Sequence, residues 1–99
     1  MPSYYPMSEW KFIRYVKANE DGKMYSAILE NRADRSKKIR INFGSTKYSN
    51  YSDNTGLNMY PGLIHGDEDR KDAYRKRHSV YIKPGMFSAG YFSWRALWS

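Results

Sequence analysis

Ninety-nine residues and 11.7 kDa are expected to make one domain with a modest core, since a chain this short buries only about two-thirds of its unfolded surface. A hydrophobic content of 40 % and an aromatic content of 17 % exclude a disordered chain, and the absence of cysteine excludes a disulfide scaffold, a thiolate metal site and a cysteine nucleophile. Seventeen Lys and Arg against ten Asp and Glu give a net charge of +7 and a pI near 9.7, a balance that favours polyanionic partners.

The elements follow in chain order. Residues 1–9 hold two prolines and read as an irregular arm. No signal-peptide core lies between Met1 and Trp10, and no apolar run nears the roughly 18 residues of a membrane span. Neither secretion nor a membrane partner is therefore expected. Residues 10–43 read as a β-meander. Trp10 to Ala18 is aromatic and β-branched, which favours a strand. Asp21-Gly22 favours a tight hairpin, because glycine tolerates positive φ, and Met24 to Asn31 returns as the second strand. In Lys37 to Phe43 the residues Ile39, Ile41 and Phe43 alternate with Lys38, Arg40 and Asn42. That pattern predicts an antiparallel sheet with one buried face and one basic, solvated face.

Residues 44–66 form a long polar loop, with Tyr48, Tyr51, Met59, Tyr60, Leu63 and Ile64 as anchors to the core or as a recognition surface. Residues 67–99 are expected to be mainly helical. Asp67 stands at an N-cap position, Glu68 and Asp69 follow it, and Arg75, Lys76, Arg77 and His78 close the segment. Acid first and base last complement the helix dipole. Pro84-Gly85 breaks the chain, and Ser88 caps a short apolar helix reaching Trp98. The expected class is α+β: a three-stranded antiparallel sheet, a long loop, a basic helix and a short apolar C-terminal helix.

Three segments resemble one uncharacterised family of small proteins from large algal viruses, giant viruses and marine phages. Phe43-Gly44 with Tyr48-Ser49 is similar to its FG-x-x-x-YS step. His65, Asp67, Arg70, Lys71, Tyr74, Arg77 and His78 match its H-x-D-x-x-R-K-x-x-Y-x-x-R-H run at every spacing. Lys83, Gly85, the Ala89-Gly90-Tyr91-Phe92-Ser93 run and Leu97-Trp98 resemble its closing segment. The likeness spans residues 37–99; Asn54 to Ile64 and the order Trp94-Arg95 depart from the pattern. It implies viral origin and a location inside the host cell or in the virion. It brings no established activity with it.

Cations concentrate in two places. Arg32 to Lys47 holds six with one acid, and Arg70 to Lys83 holds six more with one acid. On a helix, Asp67, Arg70, Lys71, Tyr74, Arg77 and His78 share a stripe of about 120°. Arg forks, Lys point charges and a Tyr ring suit phosphates and bases, whereas a structural stripe would dock Tyr74 and pair the Arg heads with acids. The candidate nucleic-acid contacts are Lys38, Arg40, Arg70, Lys71, Tyr74, Arg75, Lys76 and Arg77, with Lys11 or Arg14 joining from the first strand according to register. Tyr91, Trp94 and Trp98 are the candidate partner interface, because the last helix is apolar on more than one side.

Catalysis finds little support. His65, Asp67 and Asp69 are a sparse metal set, and Tyr74 with Arg70, Arg77 and His78 lacks an assignable base or oxyanion hole. The sequence therefore predicts a non-enzymatic nucleic-acid-binding protein without metal or cofactor. The alternatives are a virion component or host-protein-binding factor, with the aromatic C-terminus as its docking or self-association surface, and then a phosphoryl-transfer enzyme.

Overall fold

The computed structural model describes residues 3–99, so the first two residues of the expected arm lie outside the described residues. The chain runs β1 (Tyr5–Pro6), β2 (Trp10–Lys17), β3 (Lys23–Asn31), β4 (Lys38–Ser45), α1 (Glu68–His78), β5 (Met86–Phe87) and α2 (Ala89–Leu97), with 3-10 turns at Pro61–Leu63 and Ser79–Tyr81. This is the expected α+β class, with β2, β3 and β4 in antiparallel order. The arm is less irregular than expected. Tyr5 and Pro6 pair with Phe87 and Met86 as a second, two-stranded sheet, which staples the chain's start beside α2.

Local chemistry explains the meander. Gly22 adopts φ +83°, and Lys23 N–H donates to the Glu20 carbonyl at 3.2 Å to close the first hairpin. At the second turn the Asn31 side chain accepts from the Ala33 and Asp34 amides, both at 3.0 Å. Asp34 accepts from the Ser36 hydroxyl at 2.6 Å and the Ser36 amide at 3.1 Å, and those two bonds hold its carboxyl below the ordinary range.

One irregularity in β2 sets which residues share a face. Phe12 pairs with Leu29 and Arg14 with Ile28, so Ile13 is an inserted, unpaired residue. In a regular strand Phe12 and Tyr15, three apart, point to opposite faces. The bulge brings both to the core side, where their rings lie 4.7 Å apart.

The core is the sheet against α2. Phe92 is the keystone, with ring centroids 5.6 Å from Phe12, 6.0 Å from Tyr15, 5.8 Å from Phe43 and 5.5 Å from Phe87. Ser88 caps α2 by accepting from the Tyr91 amide at 3.1 Å. The loop closes its other end: Ser52 and Asn54 amides donate to the Leu97 and Ala96 carbonyls at 2.9 and 2.8 Å, satisfying groups a helix end leaves open. Helix α2 is apolar on more than one side because it is covered on more than one side. Phe92, Ala96 and Leu97 are buried, and Trp98 turns towards the loop and α1.

Candidate nucleic-acid interface

The outer face of the sheet is built by register. Lys11, Glu30 and Lys38 form one row across the three strands, and Arg14, Ile28 and Arg40 form the next. Because Ile13 bulges, Lys11 and Arg14 both reach this face, where simple alternation admits only one of them. Lys11, Arg14, Lys38 and Arg40 are all exposed. Arg40 is held against the sheet by two bonds from Nη1, to the Lys17 carbonyl at 3.0 Å and to Ser26 Oγ at 2.9 Å. Ser26 in turn donates to the Asn42 side chain. The remaining guanidinium N–H groups of Arg40 meet no acceptor among the described residues.

Helix α1 starts where its cap dictates. The Asp67 carboxylate accepts from the Asp69 and Arg70 amides at 3.0 and 3.3 Å. His65 Nδ1 accepts from the Asp67 amide at 2.9 Å, which leaves its proton on Nε2 in the neutral ring. That buried Nε2 meets no hydrogen-bond partner. Burial, and then the nearby Arg70 charge, lower the His65 pKa. Of the three residues weighed as a sparse metal set, the side chains of His65 and Asp67 are thus occupied in starting the helix, and Asp69 joins through its amide.

The stripe on α1 divides between structure and availability. Tyr74 lies between His78 and Trp98, 4.1 Å from each ring, and burial raises its hydroxyl pKa. Its faces are covered, so it offers no stacking surface to a base. Lys71 pairs with Glu68 at 3.1 Å and sits 4.7 Å over the Tyr51 ring. Tyr51 donates to Glu68 at 2.7 Å; this bond first, then Lys71, pulls the Glu68 carboxyl below its usual range. Arg75 donates to the Trp98 carbonyl at 3.0 Å and to Ser99 Oγ at 3.2 Å, with its guanidinium 4.9 Å over Trp94. Lys71, Tyr74 and Arg75 are therefore turned inward as fasteners. Arg70, Lys76 and Arg77 remain exposed.

Arg70 and Arg77 do not pair with acids. Among the described residues the ion pairs are Arg35–Glu30 and Lys71–Glu68. The Asp53 carboxylate is engaged elsewhere: it accepts the Tyr25 hydroxyl at 2.5 Å, and burial together with that bond pushes the Tyr25 pKa up to about 12. Arg70 instead donates to Ser49 Oγ at 3.0 Å. With Arg77 it borders a cleft of about 440 Å³ between α1 and the sheet, completed by Lys23 and floored by Asn50 and Trp98. Lys23 also lines the adjoining depression beside Arg40, where Glu20 is the one acid. A basic track thus runs from the sheet face past Lys23 to α1. Sequence reasoning missed Lys23, whose one signal is its position directly after the hairpin glycine.

The expected partner interface is placed differently from its sequence reading. Trp98 is buried, its Nε1 donating to Asn50 Oδ1 at 3.2 Å. Trp94 is half-buried beneath Arg75, and Tyr91 is half-buried against Phe87 and Phe92. The large apolar side chains left open are Tyr48, Leu57, Met59, Val80 and Tyr81.

No protein-family model, curated protein or solved structure matches this chain. Among the described residues no helix is long and apolar enough to cross a membrane.

Proposed function

We propose that this chain binds nucleic acid through phosphate contacts and does not catalyse a reaction. The observation that carries the reading is the continuity of unpaired cations, Arg40 to Lys23 to Arg70 and Arg77, with Lys11, Arg14 and Lys38 on the adjoining sheet face. Asp34, Asp53 and Asp67 are engaged in a turn, the core and a helix cap, and Glu30 on the sheet face pairs with Arg35, so these four acids do not pair with the track's cations. The likeness of residues 37–99 to small viral and phage proteins supports a viral setting, inside the host cell or in the virion. Burial raises the pKa of the Tyr74 hydroxyl, which disfavours its use as a nucleophile and supports a binding reading over a phosphoryl-transfer one.

The test is fluorescence anisotropy with labelled single-stranded DNA, duplex DNA and RNA between about 50 and about 200 mM salt. Counterion release makes log affinity fall linearly with log salt, by about 0.9 per phosphate contact on a duplex. Lys38→Ala/Arg40→Ala is expected to lower the slope by about 2, one for each phosphate that the variant leaves unneutralised. Absence of binding at about 50 mM salt overturns the reading.

A second reading has its own observation. Val80 and Tyr81, 75 % and 53 % exposed, form an apolar tip after α1 that suits docking on a virion or host protein. Size-exclusion chromatography with light scattering on Val80→Asp against the parent chain tests its self-associating form, with loss of a dimer as the supporting outcome.

A further inference from the structure

The cleft between α1 and the sheet differs in kind from the open sheet face. Its floor is made of buried side chains, Asn50 and Trp98, 6 % and 7 % exposed. Its volume of about 440 Å³ falls within the range of pockets that hold small ligands, about 300–1,000 Å³. Arg70 and Arg77 stand two helical turns apart on one wall, about 10.5 Å along the axis, and Lys23 faces them from β3. No Asp or Glu lines the cleft, and none of these three cations meets a carboxylate among the described residues.

Charge and shape together select the ligand. A phosphodiester carries one negative charge and needs an open path for the strand on both sides. A phosphomonoester carries about 1.5 to 2 charges at neutral pH and three strong acceptor oxygens, and it can end against a floor. Two Arg forks and a Lys point charge fit that dianion better than a passing backbone. Tyr48 borders the same cleft and is 71 % exposed, so its ring is free to stack on an attached base.

We infer that this cleft is a phosphomonoester site, taking the terminal phosphate of a nucleic-acid strand or a free nucleoside monophosphate. The strand-end form rests on the nucleic-acid reading; the phosphate chemistry of the cleft does not.

The experiment compares one oligonucleotide bearing a 5′-phosphate, a 3′-phosphate or neither, with a nucleoside 5′-monophosphate titrated alone. Arg77→Ala and Lys23→Ala alter opposite walls, so either variant serves if the other fails to fold, as read by circular dichroism. A phosphorylated end is expected to bind about tenfold tighter than the plain strand, the scale of one charge-assisted contact set. That preference is expected to vanish in both variants. Binding of the monophosphate alone, abolished in the variants, supports the cleft with a free nucleotide as its ligand while the nucleic-acid reading falls. Equal binding of all three strands with no monophosphate binding overturns the cleft and leaves the nucleic-acid reading standing. A phosphate preference unchanged in both variants also overturns it.

Discussion

Tyr74 and Trp98 lie face to face, their ring centroids 4.1 Å apart and their planes 4° from parallel. The contact joins the middle of α1 to the end of α2. His78 extends the stack at 4.1 Å from Tyr74, and Trp98 continues it into the loop through its bond to Asn50. Three segments distant in sequence, α1, the end of α2 and the loop, meet in this one column. It sets where α1, and with it Arg70 and Arg77, stands relative to the sheet.

Removing the column is expected to loosen the helix. Tyr74→Ala deletes a large, partly buried ring and should cost about 2–4 kcal/mol. Tyr74→Phe keeps the ring and should be close to neutral in both stability and binding. Urea unfolding of the two variants checks this. A large loss in Tyr74→Phe would assign the hydroxyl a role that ring packing does not explain.

Gly44 is constrained by its backbone and by its neighbours. Its φ is +76°, and a Cβ placed there would lie 2.8 Å from Leu97 Cδ1 and 3.2 Å from Met24 Cβ. The leucine tip can move aside; the left-handed backbone and the Met24 Cβ cannot easily do so. Gly44→Ala is therefore expected to destabilise by about 1–3 kcal/mol, the usual scale for a non-glycine residue held in that region. Gly56, also at positive φ but with open space around it, serves as the strain-only comparison, and thermal melts of the two alanine variants separate crowding from strain.

His65 links stability to pH. Its folded pKa is lowered by burial and by Arg70, so the fold favours the neutral ring. The unfolded chain takes up the proton first as pH falls. The stabilisation is complete above the ordinary value of 6.5 and is lost as pH drops through the folded pKa. Asp34 and Glu68 carry lowered carboxyl pKa values and act at more acidic pH, below about 4.5. Stability measured between about pH 6.5 and about pH 5 should fall in the parent chain. In His65→Asn, whose side-chain oxygen can still accept from the Asp67 amide, the fall should be smaller.

What was legible in the sequence was local. The Asp21-Gly22 hairpin, the alternation of Ile39, Ile41 and Phe43 and the caps at Asp67 and Ser88 each follow from chemistry within a few residues, and each is present. What was not legible depended on one inserted residue or on distant contacts. The bulge at Ile13 decided that Lys11 and Arg14 both reach the outer face, and no local signal marks it. The inward turn of Lys71, Tyr74 and Arg75 depends on Tyr51, Glu68, Trp94 and Trp98, which only the folded chain brings beside them. Pairing of Tyr5 with Phe87 across the chain's length is likewise invisible to periodicity.

The division of the cations makes the final prediction. Composition treats Lys71, Arg75, Lys38 and Arg77 as equivalent charges, but the structure does not. Lys71 and Arg75 hold α1 to the loop and to the end of α2, whereas Lys38 and Arg77 face outward without a carboxylate partner. Arg75→Ala should cost about 1–3 kcal/mol in unfolding, because it breaks charged hydrogen bonds to the Trp98 carbonyl and Ser99 as well as the packing over Trp94. Its slope of log affinity against log salt should stay near that of the parent chain. Lys38→Ala and Arg77→Ala should do the reverse, leaving stability within about 0.5 kcal/mol, as for ordinary surface changes, and lowering the salt slope by about 1 each. Denaturation and salt titration on the same preparations measure both quantities. Equal reductions in slope at Arg75 and Arg77 would show that phosphate contact follows charge alone rather than the partners each cation has in the fold.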